Sequence, residues 1–440
     1  MTNPKKPELD ADHSADRRTF VRIGGAGLGA ALGAKWISAA AAPSGRALKI
    51  GFISPLSGPL AEFGVSDPFV LDLVRTRLAQ GLATASGRVP AQLVSRDSQS
   101  NPDRATQMAQ QLINDEHVDL MLTTSTPEVV NPVADACEAA GVPCIGTVDP
   151  WESWYYGRGA KPGQPSPFKW SYLFSFGAEQ FFKVFQQAWN LIPTNRRVGV
   201  LYPNDADGNA FRANLIRRLE GIGFHVTDVG AYQDGTTDFS NQIAMLRKAN
   251  VEIITGSPIP NDFAVFLRQA AQQGLTQQLK ILFPVKVGDD PAYIESLGEL
   301  GDRFCTTAVW SPAFPYVSPL LGINSAQLAN EFEHKTGRFW DQTLGTTAAL
   351  FDVAMALVRA CDNPFERATV ARSLAKLRAQ TMIGSIDFAH GPVPNVATAP
   401  LVGCQWRKAK PGSRFKLAFP TIEHACDPQV PIQAKLVPYA

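Results

Sequence analysis

From Ala47 onward two rhythms of apolar and polar residues take turns along the chain. Short apolar and β-branched runs at Leu48–Ile53, Gln92–Ser95, Asp119–Leu122 and Val142–Ile145 predict strands. Between them, apolar residues three and four apart predict helices. Asn101-Pro102-Asp103 opens one with proline in its first turn, and Ala105, Met108, Ala109, Leu112 and Ile113 form its apolar face. Val129, Val133, Ala136, Cys137 and Ala140 mark the next, which stops at Gly141. A Pro- and Gly-rich loop, Val148 to Lys169, interrupts the beat. It resumes with the helix face Phe181, Phe185, Ala188, Trp189 and Ile192, the strand Val198–Tyr202, and the face Phe211, Leu215, Leu219 and Ile222. Further strands are predicted at Glu252–Thr255, Lys280–Phe283 and near Phe304–Trp310, with helices at Asn261–Gln273, Ser325–Thr336 and Thr346–Cys361. A Pro-rich tail carries one more strand at Lys416–Phe419. Strands alternating with helices predict βαβ units, hence an α/β protein with parallel sheets. A chain of 440 residues is long for one such unit and fits two lobes.

The first 42 residues follow neither rhythm. A polar start leads to Asp16-Arg17-Arg18-Thr19-Phe20-Val21-Arg22, then to a weakly apolar, glycine-rich stretch and a run of small residues ending at Ala42. A basic region, an apolar region and a small-residue zone make an export signal. The paired arginines resemble the twin-arginine signal, with cleavage expected near Ala40 to Ala42 and delivery to the periplasm. The apolar part falls short of the roughly twenty residues of a membrane span. Its Gly25-Ala26-Gly27-Leu28-Gly29-Ala30 fits the glycine pattern of a dinucleotide turn, but the strand that such a turn needs is replaced by the basic region, so no cofactor is expected.

Charge and cysteine content narrow the field. A formal net charge of +1 with the two signs interspersed gives no footprint for nucleic acid. Six cysteines include no C-x-x-C pair and no zinc spacing, so no metal site is predicted. Cys137 at a helix end and Cys144 in the next strand are placed for a disulfide in an oxidising compartment, and Cys404–Cys426 is a second candidate pair. Two buried thiols are the alternative for each.

In chain order, Ile50-Gly51-Phe52-Ile53-Ser54-Pro55-Leu56-Ser57-Gly58-Pro59-Leu60-Ala61-Glu62-Phe63-Gly64, Asp97-Ser98-Gln99-Ser100-Asn101-Pro102 and Thr237-Asp238-Phe239-Ser240 resemble type I periplasmic solute-binding proteins of the leucine/isoleucine/valine group. Gly384-Ser385-Ile386-Asp387-Phe388 and Gly391-Pro392-Val393-Pro394-Asn395 extend the resemblance into the tail. It implies two Rossmann-like lobes joined by a three-segment hinge, with crossings near Trp170–Gly177, Ala308–Pro312 and Thr381–Phe388. Lobe 1 would comprise residues 46–174 and 311–383, and lobe 2 residues 175–310 and 384–440. It also implies a monomer that closes on a small organic solute, amino-acid-like, amide or carboxylate, and delivers it to the permease and ATPase of an ABC transporter.

Ligands of open α/β sheets sit beyond the carboxyl ends of the strands, which selects the candidate contacts. Thr124, Ser125 and Thr126 leave one strand and open a helix, where hydroxyls and amides can grip a carbonyl or carboxylate; a plain helix cap is the alternative. Thr147 and Asp149 leave the next strand. Phe63 corresponds to an aromatic that the family lays over its ligand. Trp151 and Trp310 are candidates for an aromatic wall, whereas Trp154 reads as packing. Asp207 precedes Gly208 and is either cleft-facing or a turn former. Lys286 aligns with a glutamate that pairs with the ligand's ammonium in branched-chain amino acid binders. A lysine repels an ammonium and no replacing acid is evident, so the expectation is a non-amino-acid solute such as a carboxylate on an apolar body, with an amide, a urea-like compound or an ordinary amino acid as the alternatives.

Catalysis is not expected. No G-x-S-x-G elbow, phosphate loop or H-E-x-x-H motif occurs, although a Ser–His–Asp site assembled from distant positions would leave no such trace. A ligand-sensing subunit of a membrane receptor and an exported α/β hydrolase are the alternatives to the transport role.

Overall fold

The computed structural model describes residues 45–85 and 87–440; the export signal predicted for residues 1–42 lies outside them. The first lobe is built on six parallel strands in the order Val396–Thr398, Ser171–Ser175, Cys144–Thr147, Leu120–Thr124, Leu48–Ser54 and Ala91–Asp97. Parallel pairing requires a crossover between strands, and the helices supply it. Asn101 caps Pro102–Asn114 by accepting the Arg104 amide at 2.9 Å, and Gly141, at φ +64°, ends Pro127–Ala140. Helices cover both faces, so every residue of Leu120–Thr124 is buried. The helix Thr343–Ala360, almost entirely buried, lies under this sheet, with Phe351 stacked 5.7 Å from Phe52.

The second lobe holds four parallel strands in the order Ile281–Leu282, Ile253–Gly256, Arg197–Pro203 and His225–Tyr232. Gly256 leaves its strand at φ +143°, where a Cβ would overlap the Leu201 carbonyl; only glycine permits that exit. A small antiparallel sheet of Cys305–Ala308, Val402–Gln405 and Thr421–Glu423 packs on the helix Ala178–Ala188. Phe181, Phe185, Val309, Leu401 and Ile422 share one apolar cluster there.

The chain passes between lobes after Ser175, after Ala308 and after Thr398. The third, expected at Thr381–Phe388, is corrected. Gly384–Asp387 folds back on Arg378–Thr381 as a hairpin, and Val396–Thr398 joins the edge of the first sheet with Val396 opposite Leu173. Residues 384–398 therefore stay with the first lobe. The strand has three residues, too few to carry a pattern, and it is the open sheet edge that recruits it.

Two further expectations change. The loop from Val148 to Lys169 contains a short helix, Trp151–Tyr155. Its Trp154 is fully buried, with the Arg158 guanidinium 4.5 Å from the indole and 4.1 Å from the Phe168 ring, and Arg158 pairs with Asp135 at 2.7 Å. Neither predicted disulfide is formed: all six cysteines are free. Cys137 and Cys144 are both buried thiols in the first lobe's core. Cys404 faces the Thr421 hydroxyl inside the small sheet, while Cys426 faces the Gln180 carbonyl.

Candidate functional site

The carboxyl ends of both parallel sheets face one cleft. A cavity of about 60 Å³, several water molecules in size, opens there. Its apolar wall is Phe63, Phe176, Phe181, Phe211, Val148, Val285, Val309 and Leu401. Its polar positions are Thr126, Asp207, Lys286, Asp289, Thr307, Gln342, Thr343 and Thr346. First-lobe loops, second-lobe loops and the crossings all contribute.

Three loops that build this cleft hold non-glycine residues in backbone conformations with positive φ. Ser125 lies at +140°, Val148 at +75° and Lys286 at +68°. For a β-branched valine this conformation is a true outlier, costing on the order of 1–3 kcal/mol. Each follows the last residues of a strand: Leu120–Thr124, Cys144–Thr147 and, four residues on, Ile281–Leu282. Strain of this kind persists only where the surroundings hold it, and it collects at ligand clamps.

Charge is concentrated around Lys286, whose side chain is 5% exposed. Its ammonium lies 3.1 Å from Asp205, 3.3 Å from Asp207 and 4.0 Å from Glu128. Asp205 is also the cap of the helix Ala206–Gly221, accepting the Gly208 amide at 2.6 Å. Glu128 comes from the first lobe and takes a short hydrogen bond from Thr126. The premise that no acid stands near Lys286 is thus corrected. These aspartates lie some eighty residues upstream and meet the lysine only when strands Arg197–Pro203 and Ile281–Leu282 share a sheet.

More acid surrounds this group. Burial pushes the Asp207 carboxyl up to about 7; Lys286 pulls against that, and Asp205 and Glu128 add to it. Asp207 Oδ1 is buried without a hydrogen-bond partner among the described residues, as are both carboxylate oxygens of Asp149. Asp149 sits between the lining residues Val148 and Pro150, and burial, then Asp207 and Glu128, raise its carboxyl well above the ordinary range. Asp289 is pushed up to about 7 by burial and by Asp341, although Gln342 donates to it. Burial alone would lower Lys286, but Asp207, Glu128 and Asp205 together raise it, so it stays protonated. Carboxyls outnumber cations here; among the described residues Asp149 lacks a donor on both oxygens and Asp207 on one.

The sequence candidates divide accordingly. Phe63, Thr126, Asp207 and Lys286 line the cavity. Ser125 and Asp149 are buried in the same loops. Thr124 is buried within its strand, and Thr147 spends its hydroxyl on the Phe174 carbonyl at 2.8 Å. Trp151 is half-buried beside Tyr156 and outside the cavity lining. Trp310 is corrected: it is fully buried in the core, its indole N–H donating to Ser325 at 3.0 Å and its ring edge-on to Trp340. Sequence reasoning missed Phe176, Val309 and Leu401, which lie at the crossings, and Gln342 and Thr343, which open a core helix. Nothing local marks them, because it is the joining of the lobes that makes them a wall.

A model of a family described as periplasmic binding protein matches residues 47–410. The Leu/Ile/Val-binding protein homolog 8 of Brucella abortus is 24% identical over 262 residues, covering 57% of this chain; the chain spans 60% of that relative's length. A leucine binding protein from Thermotoga maritima superposes with a TM-score of 0.66 at 19% identity, covering 84% of this chain and 97% of its own. A solute binding protein of an ABC transporter from Rhodopseudomonas palustris, solved with 3,4-dihydroxybenzoic acid, superposes with a TM-score of 0.66 at 16% identity, covering 89% and 98%. These likenesses carry the type I two-lobed fold, and the family match spans both lobes and the cleft between them. The chain belongs to the periplasmic binding protein family.

Proposed function

We propose that this chain is the solute-binding component of an ABC uptake transporter, capturing a small organic molecule in the cleft and presenting it to the membrane permease and its ATPase. One observation carries this reading. Strand ends from two separate lobes, held in strained loops, converge on a cavity with an apolar wall and with buried carboxyl oxygens that lack donors. Relatives with the same fold are described as binding leucine and 3,4-dihydroxybenzoic acid, which supports solute capture as the task without choosing the solute. Residues 46–175 with 309–398 would move against 176–308 with 399–440, bending at the three crossings. Arg17-Arg18 and the small residues to Ala42 support export by the twin-arginine route, with the chain working in the periplasm.

The test is a thermal-shift and calorimetric screen of the mature protein against amino acids, amides, amines and carboxylates, with scattering to follow closure. Binding one solute per chain, with a smaller radius of gyration and no turnover, is the expected result. Consumption of the bound compound, or no binding across all four classes, would overturn the reading.

A further inference from the structure

Resting on that solute-binding reading, we infer that the cleft takes an organic ammonium on an apolar body, with Asp207 receiving the ammonium, and that it rejects free carboxylates. Asp207 is 3% exposed, lines the cavity, and has one oxygen on Lys286 and the other without any partner among the described residues. A buried carboxylate oxygen without a protein partner calls for a donor. Among the described residues, Lys286 is the only cation lining the cavity, and it is already held by Asp205, Asp207 and Glu128. It balances one of those acids, and with Asp149 and Asp289 nearby the carboxyl groups outnumber the cations. A carboxylate entering here would have to strip Lys286 from its partners and then face the remaining acids. An ammonium would supply the missing donor and reduce the repulsion. The phenylalanines and aliphatic residues of the wall fit the body of such a molecule.

The experiment uses three matched probe sets on the mature protein at pH 8: benzyl- and phenethylamine, benzoate and 3-phenylpropionate, and phenylalanine with isoleucine. The amines should raise the melting temperature and the carboxylates should not. Asp207→Asn should weaken amine binding at least tenfold, while Lys286→Gln, which removes the competing cation, should tighten it. Circular dichroism and the unliganded melting temperature establish that both variants fold; if Asp207→Asn does not, Asp149→Asn takes its place with the same expected loss. Carboxylates binding in preference to amines, or Lys286→Gln abolishing binding, would overturn the inference and leave the solute-binding reading standing. No binding by any of the three sets, nor in the wider screen, would overturn both.

Discussion

The side-chain amide of Gln342 donates to Oδ1 of Asp289 at 2.7 Å, tying a second-lobe loop to the start of the first lobe's central helix. The same amide donates to the Thr307 carbonyl at 3.1 Å and accepts from the Val309 N–H at 2.7 Å. One side chain thereby fixes the crossing after Ala308, the Asp289 loop and the floor of the cleft. Gln342→Ala should cost about 3 kcal/mol, since buried groups are left unpaired at roughly 1–3 kcal/mol each. Urea unfolding of the unliganded protein reads this, and a loss under about 1 kcal/mol would show that the bridge is dispensable.

Trp310 and Gly345 form a second fixed point. A Cβ on Gly345 would overlap the Trp310 indole. Alanine is worth about 1 kcal/mol more than glycine inside a helix, so in open space Gly345→Ala would stabilise. Against a buried indole it should instead destabilise, by about 1–3 kcal/mol from overpacking. A raised melting temperature for this variant would show that the indole has room to move.

Stability should fall as pH rises from about 4 to 7. Asp352 accepts from Ser318 at 2.6 Å and from the Leu320 and Met382 amides, both at 3.0 Å, yet burial still pushes it up to about 7. Burial does the same to Asp67, also pushed up to about 7. In the unfolded chain such carboxyls titrate near 3.9, so through this interval the native state holds protons that the unfolded state has released, and the slope of stability with pH is negative. Asp352→Asn should flatten the decline in melting temperature between pH 4.5 and 7.5. A wild-type melting temperature that climbs across that range would contradict the assignment.

Affinity for an ammonium solute should increase with pH over a similar range. Asp207 and Asp289 are both pushed up to about 7, and only their ionised forms attract the cation. Lys286, Asp205, Glu128 and Asp149 face Asp207, and Lys286 remains protonated throughout. Calorimetry with phenethylamine at pH 5.5, 6.5 and 8 should show tightening toward pH 8, with protons released on binding near pH 6.5. A flat or inverted profile would remove Asp207 and Asp289 from the ligand's charge recognition.

Local chemistry made much of this protein legible. Asn101, Pro102 and Gly141 set the ends of two helices through backbone capping, which depends on neighbours in the chain. Apolar periodicity likewise located the helix Ser325–Thr336, and strand-ending loops pointed to Thr126, Asp207 and Lys286 because parallel sheets gather such ends on one side. Trp310 shows the limit of that logic. An aromatic near a crossing fits a ligand wall or a core equally well, and only the helix packed over it, with Gly345 against its ring, decides for the core.

The sequence alone therefore determined the features that short-range rules dictate: the α/β alternation, two parallel sheets, the family resemblance and the loops that approach the cleft. Tertiary structure decided the features that depend on distant residues meeting. It recruited Val396–Thr398 to an open sheet edge, brought Gln342 to Asp289, and set Asp205, Asp207 and Glu128 around Lys286. Capping and periodicity act over a turn or a strand and leave a trace in the local sequence. Electrostatics act over ångströms of space, so whether Lys286 is a free anion receptor or a saturated counterion is fixed only when its acids are folded against it.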